Sequence, residues 1–321
     1  MQRPFLLASA AVLAAAALGP LPARAAWPER PLRIIVPFPP GGGVDVLARL
    51  VGARLGPMLG QAVVVDNKPG ADTQIGTGAV AQAPADGYTI GLLTSGFSVN
   101  QALYPNLPYD AAKDFTPISG LATSPFYVVT WPQLEARDLP SLLRYGRAHP
   151  GKLNYSTSSA DAFLAGELLK KMGGIDSVHV RYRGTPPSML AVMTGEVAYS
   201  FFTLTGIKPQ VDSGKLRIVG VTSAQRTEQM PQVPTVAEQG MPGYAIVGWF
   251  GFLGPAGLPE GVTQKLNAAI QQIVQMPEVR ATIASLGATP LKQTPGEFNA
   301  FLQAEFAKYG ALVKENHLQA D

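Results

Sequence analysis

The chain of 321 residues carries 25 Lys and Arg against 22 Asp and Glu, an excess too small for the basic stripe that nucleic acid or an anionic membrane surface demands. It has no cysteine, which excludes disulfides, thiolate metal sites and a lipid-modified N-terminal cysteine. The first 25 residues read as a secretory leader: Arg3, an apolar run over 5–18, breaks at Gly19, Pro20 and Pro22, and a cleavage site at Ala23-Arg24-Ala25. The remaining chain, expected to start at Ala26 and to float free in a periplasm-like space, holds 23 basic and 22 acidic residues. Its roughly 295 residues can bury a large core without staples, and this length suits two lobes.

From there on apolar strands alternate with helical patterns, the signature of an α/β fold. A strand over 32–36 runs into Phe38-Pro39-Pro40-Gly41-Gly42-Gly43, then a helix over 44–59 with Val44, Leu47, Ala48, Val51 and Leu55 on one face. Three successive glycines let the backbone come close to another molecule and present N–H groups to it. The helix N-terminus beyond them adds partial positive charge. This segment is suited to an anionic small molecule without any charged side chain. Asp45 is expected to complement the helix dipole rather than touch a ligand. A strand over 63–65, a loop over 67–75 and a helix over 77–83 follow. A strand over 88–93 leads into Thr94-Ser95-Gly96 and a helix over 99–104. Next come a strand over 126–130 and a helix over 139–149 stopped by Pro150-Gly151.

The middle third repeats the pattern. A strand over 153–155 enters Ser156-Thr157-Ser158-Ser159 and a helix over 162–172. A strand over 178–182 enters Arg183-Gly184-Thr185-Pro186-Pro187 and a helix over 188–194. Strands are expected over 197–202, 216–222 and 247–253, with an irregular loop over 226–242. The C-terminal third reads as helices over 260–275, 277–286 and 295–316.

Four of these strands end in Gly- or Ser-rich turns that open helices: after Val36, Leu93, Tyr155 and Tyr182. Ligands of open α/β sheets sit at the carboxyl ends of strands, so two pairs of helix N-termini are expected to face each other across a cleft. Thr94 and Ser95 supply hydroxyls at a helix start, and the run Ser156, Thr157, Ser158, Ser159 is longer than a cap needs. Gly76-Thr77-Gly78-Ala79-Val80-Ala81 matches G-x-G-x-x-A but follows a loop, where a dinucleotide fingerprint follows a strand; a small-residue helix face is the better reading. No nucleophile elbow, P-loop or zinc-protease motif occurs. His149, His179 and His317 show no metal-ligand spacing and are expected at the surface. Trp249-Phe250-Gly251-Phe252 is expected to pack in the core or a hinge.

Seven segments in register along the mature chain resemble the solute-binding receptors of tripartite tricarboxylate transporters, the Bug receptors. They lie at 36–45 (Val-Pro-Phe-Pro-Pro-Gly-Gly-Gly-Val-Asp), 66–71, 85–89, 164–168, 213–217, 233–238 and 254–259. The resemblance implies a type II periplasmic binding protein fold: two α/β lobes joined by two crossover strands, with the ligand cleft between them. Residues 126–130 and 247–253 fit the crossovers. Lobe 1 is then discontinuous, 26–125 with 248–321, and lobe 2 is 126–247. The resemblance also implies a small carboxylate held through backbone groups, hydroxyls and waters. The sequence departs from the family pattern at Asp72-Thr73, at Asp161-Ala162-Phe163, at Thr185-Pro186-Pro187 and at Ala198. Asp161 is expected either as a solvated cap or facing the cleft. In the cleft, its fixed charge would oppose a second carboxylate and favour a less anionic ligand.

The expected function is a periplasmic receptor that captures a small carboxylate-bearing solute and delivers it to membrane transporter subunits. It is read as a monomer that is not an enzyme and uses no cofactor, metal or nucleic acid. The expected ligand contacts are Phe38, Gly41, Gly42, Gly43, Thr94, Ser95, Ser156, Thr157, Ser158, Ser159 and Asp161. A sensory module signalling to a membrane kinase, or an enzyme on the same fold, are the competing readings.

Overall fold

The computed structural model describes residues 27–182, 184–315 and 318, with Thr205 described by its backbone alone. The leader read over 1–25 and His317 lie outside the described residues. Among the described residues no helix is long and apolar enough to cross a membrane.

The chain starts with strand β1 (Leu32–Val36), helix α1 (Gly43–Leu59), strand β2 (Val63–Asn67), helix α2 (Gln74–Ala81), strand β3 (Thr89–Thr94) and helix α3 (Gly96–Leu103). β1 lies between β2 and β3, and all three are parallel. Parallel neighbours need crossover connections, which the helices supply. The long strand β4 (Phe115–Thr130) follows, then helix α4 (Leu139–Ala148). The arrangement then recurs as β5 (Leu153–Thr157), α5 (Ala160–Gly173), β6 (Ser177–Arg181), α6 (Thr185–Met193), β7 (Tyr199–Thr203), α7 (Leu204–Asp212) and β8 (Arg217–Val221). β5 lies between β6 and β7, again all parallel. The chain closes with β9 (Val247–Pro255), α8 (Glu260–Val274), α9 (Pro277–Ser285), β10 (Thr289–Pro290) and α10 (Pro295–Glu315).

One sheet runs β2-β1-β3-β9-β4-β7-β5-β6. Its two ends are the parallel trios, and β4 and β9 join them. Residues Phe115 to Pro125 of β4 pair antiparallel with β9, whereas Phe126 to Thr130 pair with β7 and β8. The chain therefore passes between halves inside β4 and again on entering β9 at Val247. Residues 126–130 and 247–253, expected as the crossovers, lie within β4 and β9.

Packing explains the strand sequences. Ile34 and Val36 face one core with Leu47, Val51, Leu55 and Ile270, while Ile35 faces another with Leu93, Phe97, Trp249 and Phe298. A sheet covered on both faces needs consecutive apolar residues rather than alternation. In the second half Tyr155, Leu164, Leu169 and Tyr199 form one core and Tyr127, Val129, Val192 and Phe202 the other. Val99 and Leu103 of α3 and Tyr309 of α10 also belong to the Tyr155 core. Trp249 and Phe252 are buried in β9, as core packing predicts. The Gly76 to Ala81 segment lies within or at the end of α2. A Cβ on Gly76 would meet Lys68 O and Pro37 Cβ, each at 2.7 Å. Gly76 thus serves close packing of α2, whereas a Cβ on Gly78 would come no nearer than 3.7 Å to a neighbour.

Three elements differ from the expectation. The first part of β4 goes unread because Pro117, Gly120 and Pro125 interrupt it, and the register slips between Pro117 and Ser119 and between Gly120 and Ala122. Helix α7 carries Gly206 and an internal Pro209, both of which weaken a helical signal. β10 is only two residues long. Helices α3, α5 and α6 also start two to three residues earlier than their apolar patterns suggest, at Gly96, Ala160 and Thr185.

Candidate functional site

The carboxyl ends of β1, β3, β5 and β6 all open onto helices, and the halves meet along this edge. The loop after β1 is built by a closed ring of side chains. Asp45, only 3 % exposed, accepts from Gly41 N–H (2.9 Å), Arg49 Nε (2.9 Å) and Asn67 Nδ2 (3.0 Å). Arg49 Nη2 donates to Asn67 Oδ1 (3.1 Å), and Asn67 Nδ2 also donates to the Phe38 carbonyl (3.0 Å). The loop is thus tied at both ends. Hydrogen bonding to Arg49 holds the Asp45 carboxyl down at about 2, against the opposing effect of burial. Asp45 therefore does more than complement the dipole, because it clamps the glycine loop.

Gly41 lies at φ +85, where a side chain would be strained, but a Cβ there would meet nothing within 4 Å. At Gly42 and Gly43 the nearest atom would be 3.8 Å away. The protein's own packing leaves these three positions open to approach. Gly41 gives its N–H to Asp45, so the loop's outward donors are those of the first turn of α1, at Gly43 and Val44, which have no intrahelical acceptor. Phe38 is half-buried and packs against the Leu47 core.

The N-caps of α1, α3, α5 and α6 are Gly42, Ser95, Ser159 and Gly184, and none makes a side-chain capping bond. Elsewhere in the fold α4 has a full capping box between Asp138 and Ser141, whereas α2, α7, α8 and α9 also make no side-chain capping bond. α10 is entered through reciprocal bonds of Thr294 and Glu297. α1 and α3 keep first-turn N–H groups that their own side chains do not cover; in α5 Asp161 takes the Ala162 N–H, and in α6 Pro186 and Pro187 carry no N–H, so Thr185 is the first-turn donor there.

Ser95 is buried and its Oγ donates to Asp161 Oδ2 across the two halves at 2.6 Å. Asp161 Oδ1 accepts from Ser159 Oγ at 2.5 Å and from Ala162 N–H at 2.9 Å. Asp161 is 9 % exposed; the solvated-cap reading is corrected, since donors from both halves enclose the carboxylate. A Cβ on Gly248 of β9 would lie 3.0 Å from Ser124 O, 3.5 Å from Ser95 Oγ and 3.9 Å from Asp161 Oδ2. The crossover strand thus runs directly against this bond.

The hydroxyl run after β5 divides in two. Ser156 is buried; its Oγ accepts from Ser188 Oγ (2.8 Å) and its carbonyl from Ser200 Oγ (2.7 Å). Thr157 is buried and its Oγ1 bonds His179 Nε2 (2.7 Å). These two hold α6, β6 and β7 together. Ser158 and Ser159 are the members that reach the surface. Thr94 is half-buried at the end of β3. The surface placement of His179 is corrected: it is half-buried between the rings of Tyr155 and Phe163, with centroids at 5.0 and 4.8 Å. His149 is exposed as expected.

Two rim contacts flank the floor. Arg181, at the end of β6, donates to Asp72 Oδ2 at 2.5 Å. Asp72 lies in a run of three non-glycine residues with positive φ, Ala71, Asp72 and Thr73 at 46, 47 and 75. Such strain persists only where the surroundings impose it. Here Tyr104 OH donates to Asp72 Oδ2 (2.6 Å) and Asn100 Nδ2 to the Asp72 carbonyl (2.7 Å). Burial and then the bond to Asp72 push the Tyr104 phenol up, and the bond to Asp72 also raises Arg181. On another side Gln229 Nε2 donates to the Ala288 carbonyl (3.3 Å), and Gly287 packs so closely on Leu204 that a Cβ would come within 2.4 Å. Sequence reasoning missed Arg181, Asn67 and Arg49 as supports of this region. Asp45 and Arg49 are spaced i, i+4, which was a usable signal; the Arg181–Asp72 pair spans 109 residues and left none.

The family model for the tripartite tricarboxylate transporter family receptor, TctC, matches residues 47–318. The protein BugT of Bordetella pertussis is 34 % identical over 293 residues, covering 90 % of this chain and 90 % of BugT. Among solved structures, Rpa4515 of R. palustris with adipate superposes with a TM-score of 0.83 at 32 % identity, covering 91 % of this chain and 99 % of that one. MatC of Rhodopseudomonas palustris with bound malate gives 0.79 at 30 % identity, covering 89 % and 100 %. The chain belongs to the tripartite tricarboxylate transporter receptor family, the Bug receptors, and has their two-lobed periplasmic binding fold.

Proposed function

We propose that this protein is a periplasmic receptor that closes two lobes, 26–125 with 248–321 and 126–247, on a small carboxylate-bearing solute and presents it to membrane transporter subunits. The observation that carries the reading is the convergence of four strand-to-helix turns on the edge where the halves meet, with the first-turn N–H groups of α1 and α3 uncovered by their own side chains beside an open glycine loop. Taking a carboxylate out of water is costly unless several donors replace its hydration. Helix N-termini supply such donors already oriented, with favourable dipoles. The glycine loop adds room for close approach. Relatives with adipate and malate make carboxylates the first class to test.

Binding of this kind needs no catalytic group. Closure excludes water and strengthens each hydrogen bond to the solute. The leader read over 1–25 supports export.

The test is thermal unfolding of the mature protein, stripped by unfolding and refolding, against mono-, di- and tricarboxylates, amino acids, aromatic acids and neutral amides. A solute at about 100 times its dissociation constant adds roughly 2.7 kcal/mol. Stabilisation confined to carboxylates is the expected result. Stabilisation by neutral amides alone, or by nothing in the panel, would sink the reading.

A further inference from the structure

We propose that Asp161 is a resident carboxylate that occupies the place of one ligand carboxylate on the cleft floor, so that this receptor selects solutes bearing a single carboxylate; the proposal rests on the receptor reading above. Two serines carry the argument. An N-cap serine ordinarily turns its hydroxyl onto an N–H of its own first turn. Neither Ser95 nor Ser159 does so. Both donate to Asp161, Ser95 from the first half to Oδ2 at 2.6 Å and Ser159 from the second to Oδ1 at 2.5 Å. The Ala162 N–H adds a third donor from the first turn of α5 at 2.9 Å. A carboxylate bridged by donors of both halves, where two helices begin, is what a closing receptor offers to an anionic solute. Here the anion is part of the chain.

The surroundings enclose this bond. Ser95 is 1 % exposed. Gly248 brings the β9 backbone against the Ser95–Asp161 bond, so that side is sealed by the crossover strand. The donors left for a solute are the first-turn N–H groups of α1 beside the glycine loop, those of α3, the Thr185 N–H and the hydroxyl of Ser158, which is half-buried and bonds Thr185 Oγ1 at 3.4 Å. A solute carboxylate finds its donors there and not at the serines that hold Asp161. A second one reaching the floor would find the serine hydroxyls occupied and a like charge in a site that excludes water. The far end of the solute is therefore uncharged.

The experiment measures affinities by calorimetry for two pairs of acids matched in chain length, butyrate with succinate and hexanoate with adipate. It compares the mature full-length chain with Asp161→Asn and Asp161→Ser, whose folding is checked by thermal unfolding. The wild type is expected to bind the monoacid of a pair more tightly than the diacid. In the variants that preference falls by about tenfold or reverses, the scale of one charge-assisted hydrogen bond. An unchanged ratio in a folded variant overturns the proposal, as does a wild type that prefers the diacids. Should neither variant fold, the wild-type preference alone decides. Failure of all four acids with all three proteins would instead overturn the carboxylate reading itself.

Discussion

The floor and the rim of the cleft join the same two halves by opposite physical means. On the floor, a hydroxyl and a carboxylate meet in a site nearly closed to solvent, Ser95 at 1 % exposure and Asp161 at 9 %. On the rim, Arg181 and Asp72 form an ion pair whose side chains are 49 % and 33 % exposed. The floor bond is valuable mainly because breaking it leaves buried polar groups without partners. The rim pair is screened by water and salt, and most exposed pairs contribute little. What matters on the rim is geometry, since the pair helps to hold three residues in a left-handed turn that none of them favours alone. Interlobe contacts are thus not interchangeable: one sets stability and the other sets shape.

The comparison breaks first at the floor. Asp161→Ala removes the acceptor of three donors and is expected to lower unfolding stability by about 3 kcal/mol. Chemical denaturation of the ligand-free protein measures it, and a loss within about 0.5 kcal/mol would place the floor on a par with an ordinary surface position. The glycine-loop clamp is intermediate, because Asp45 is buried while its partner Arg49 is half-exposed. Asp45→Asn is expected to cost about 1 kcal/mol. Its pH dependence has a definite sign. The carboxyl titrates at about 2 in the folded protein against 3.8 ordinarily, so the wild-type advantage is complete above the ordinary value and disappears as pH falls through about 2. An advantage that persisted undiminished in stronger acid would rule out the clamp as its source. The rim gives the smallest effect. Arg181→Ala is expected to cost about 0.5 kcal/mol at low ionic strength and nothing measurable in high salt. A salt-independent loss would show that the guanidinium acts by packing rather than by charge.

The alternating strands and helices were legible because their residues obey period and turn rules that act over a few positions. β1, with its Ile34-Ile35-Val36 run, has the bounds that its sequence predicts. The glycine loop was legible for the same reason, since Gly41, Gly42 and Gly43 stand between a strand and a helix. What escaped depends on partners far away in sequence. The first part of β4 is a strand only because β9 accepts its bulges around Pro117 and Gly120. The serine run after β5 looked uniform, yet Ser188, Ser200 and His179 occupy Ser156 and Thr157 and leave Ser158 and Ser159 outward. Asp161 drew notice as a misplaced charge, but only the fold shows that two serines from opposite halves enclose it.

The last helix constrains how such a cleft can move. Phe298 and Leu302 of α10 sit in the core with Trp249, while Tyr309, two turns later, sits in the core with Tyr155 on the other side of the crossovers. A continuous helix of 21 residues is stiff over this length. It therefore acts as a third strut beside the two strands, pinned at both ends. The lobes cannot twist freely about β4 and β9 without bending α10 or drawing Tyr309 from its socket. A swing about an axis close to the helix would leave both contacts in place, like a door on a long pin, with the greatest travel at the edge farthest from α10.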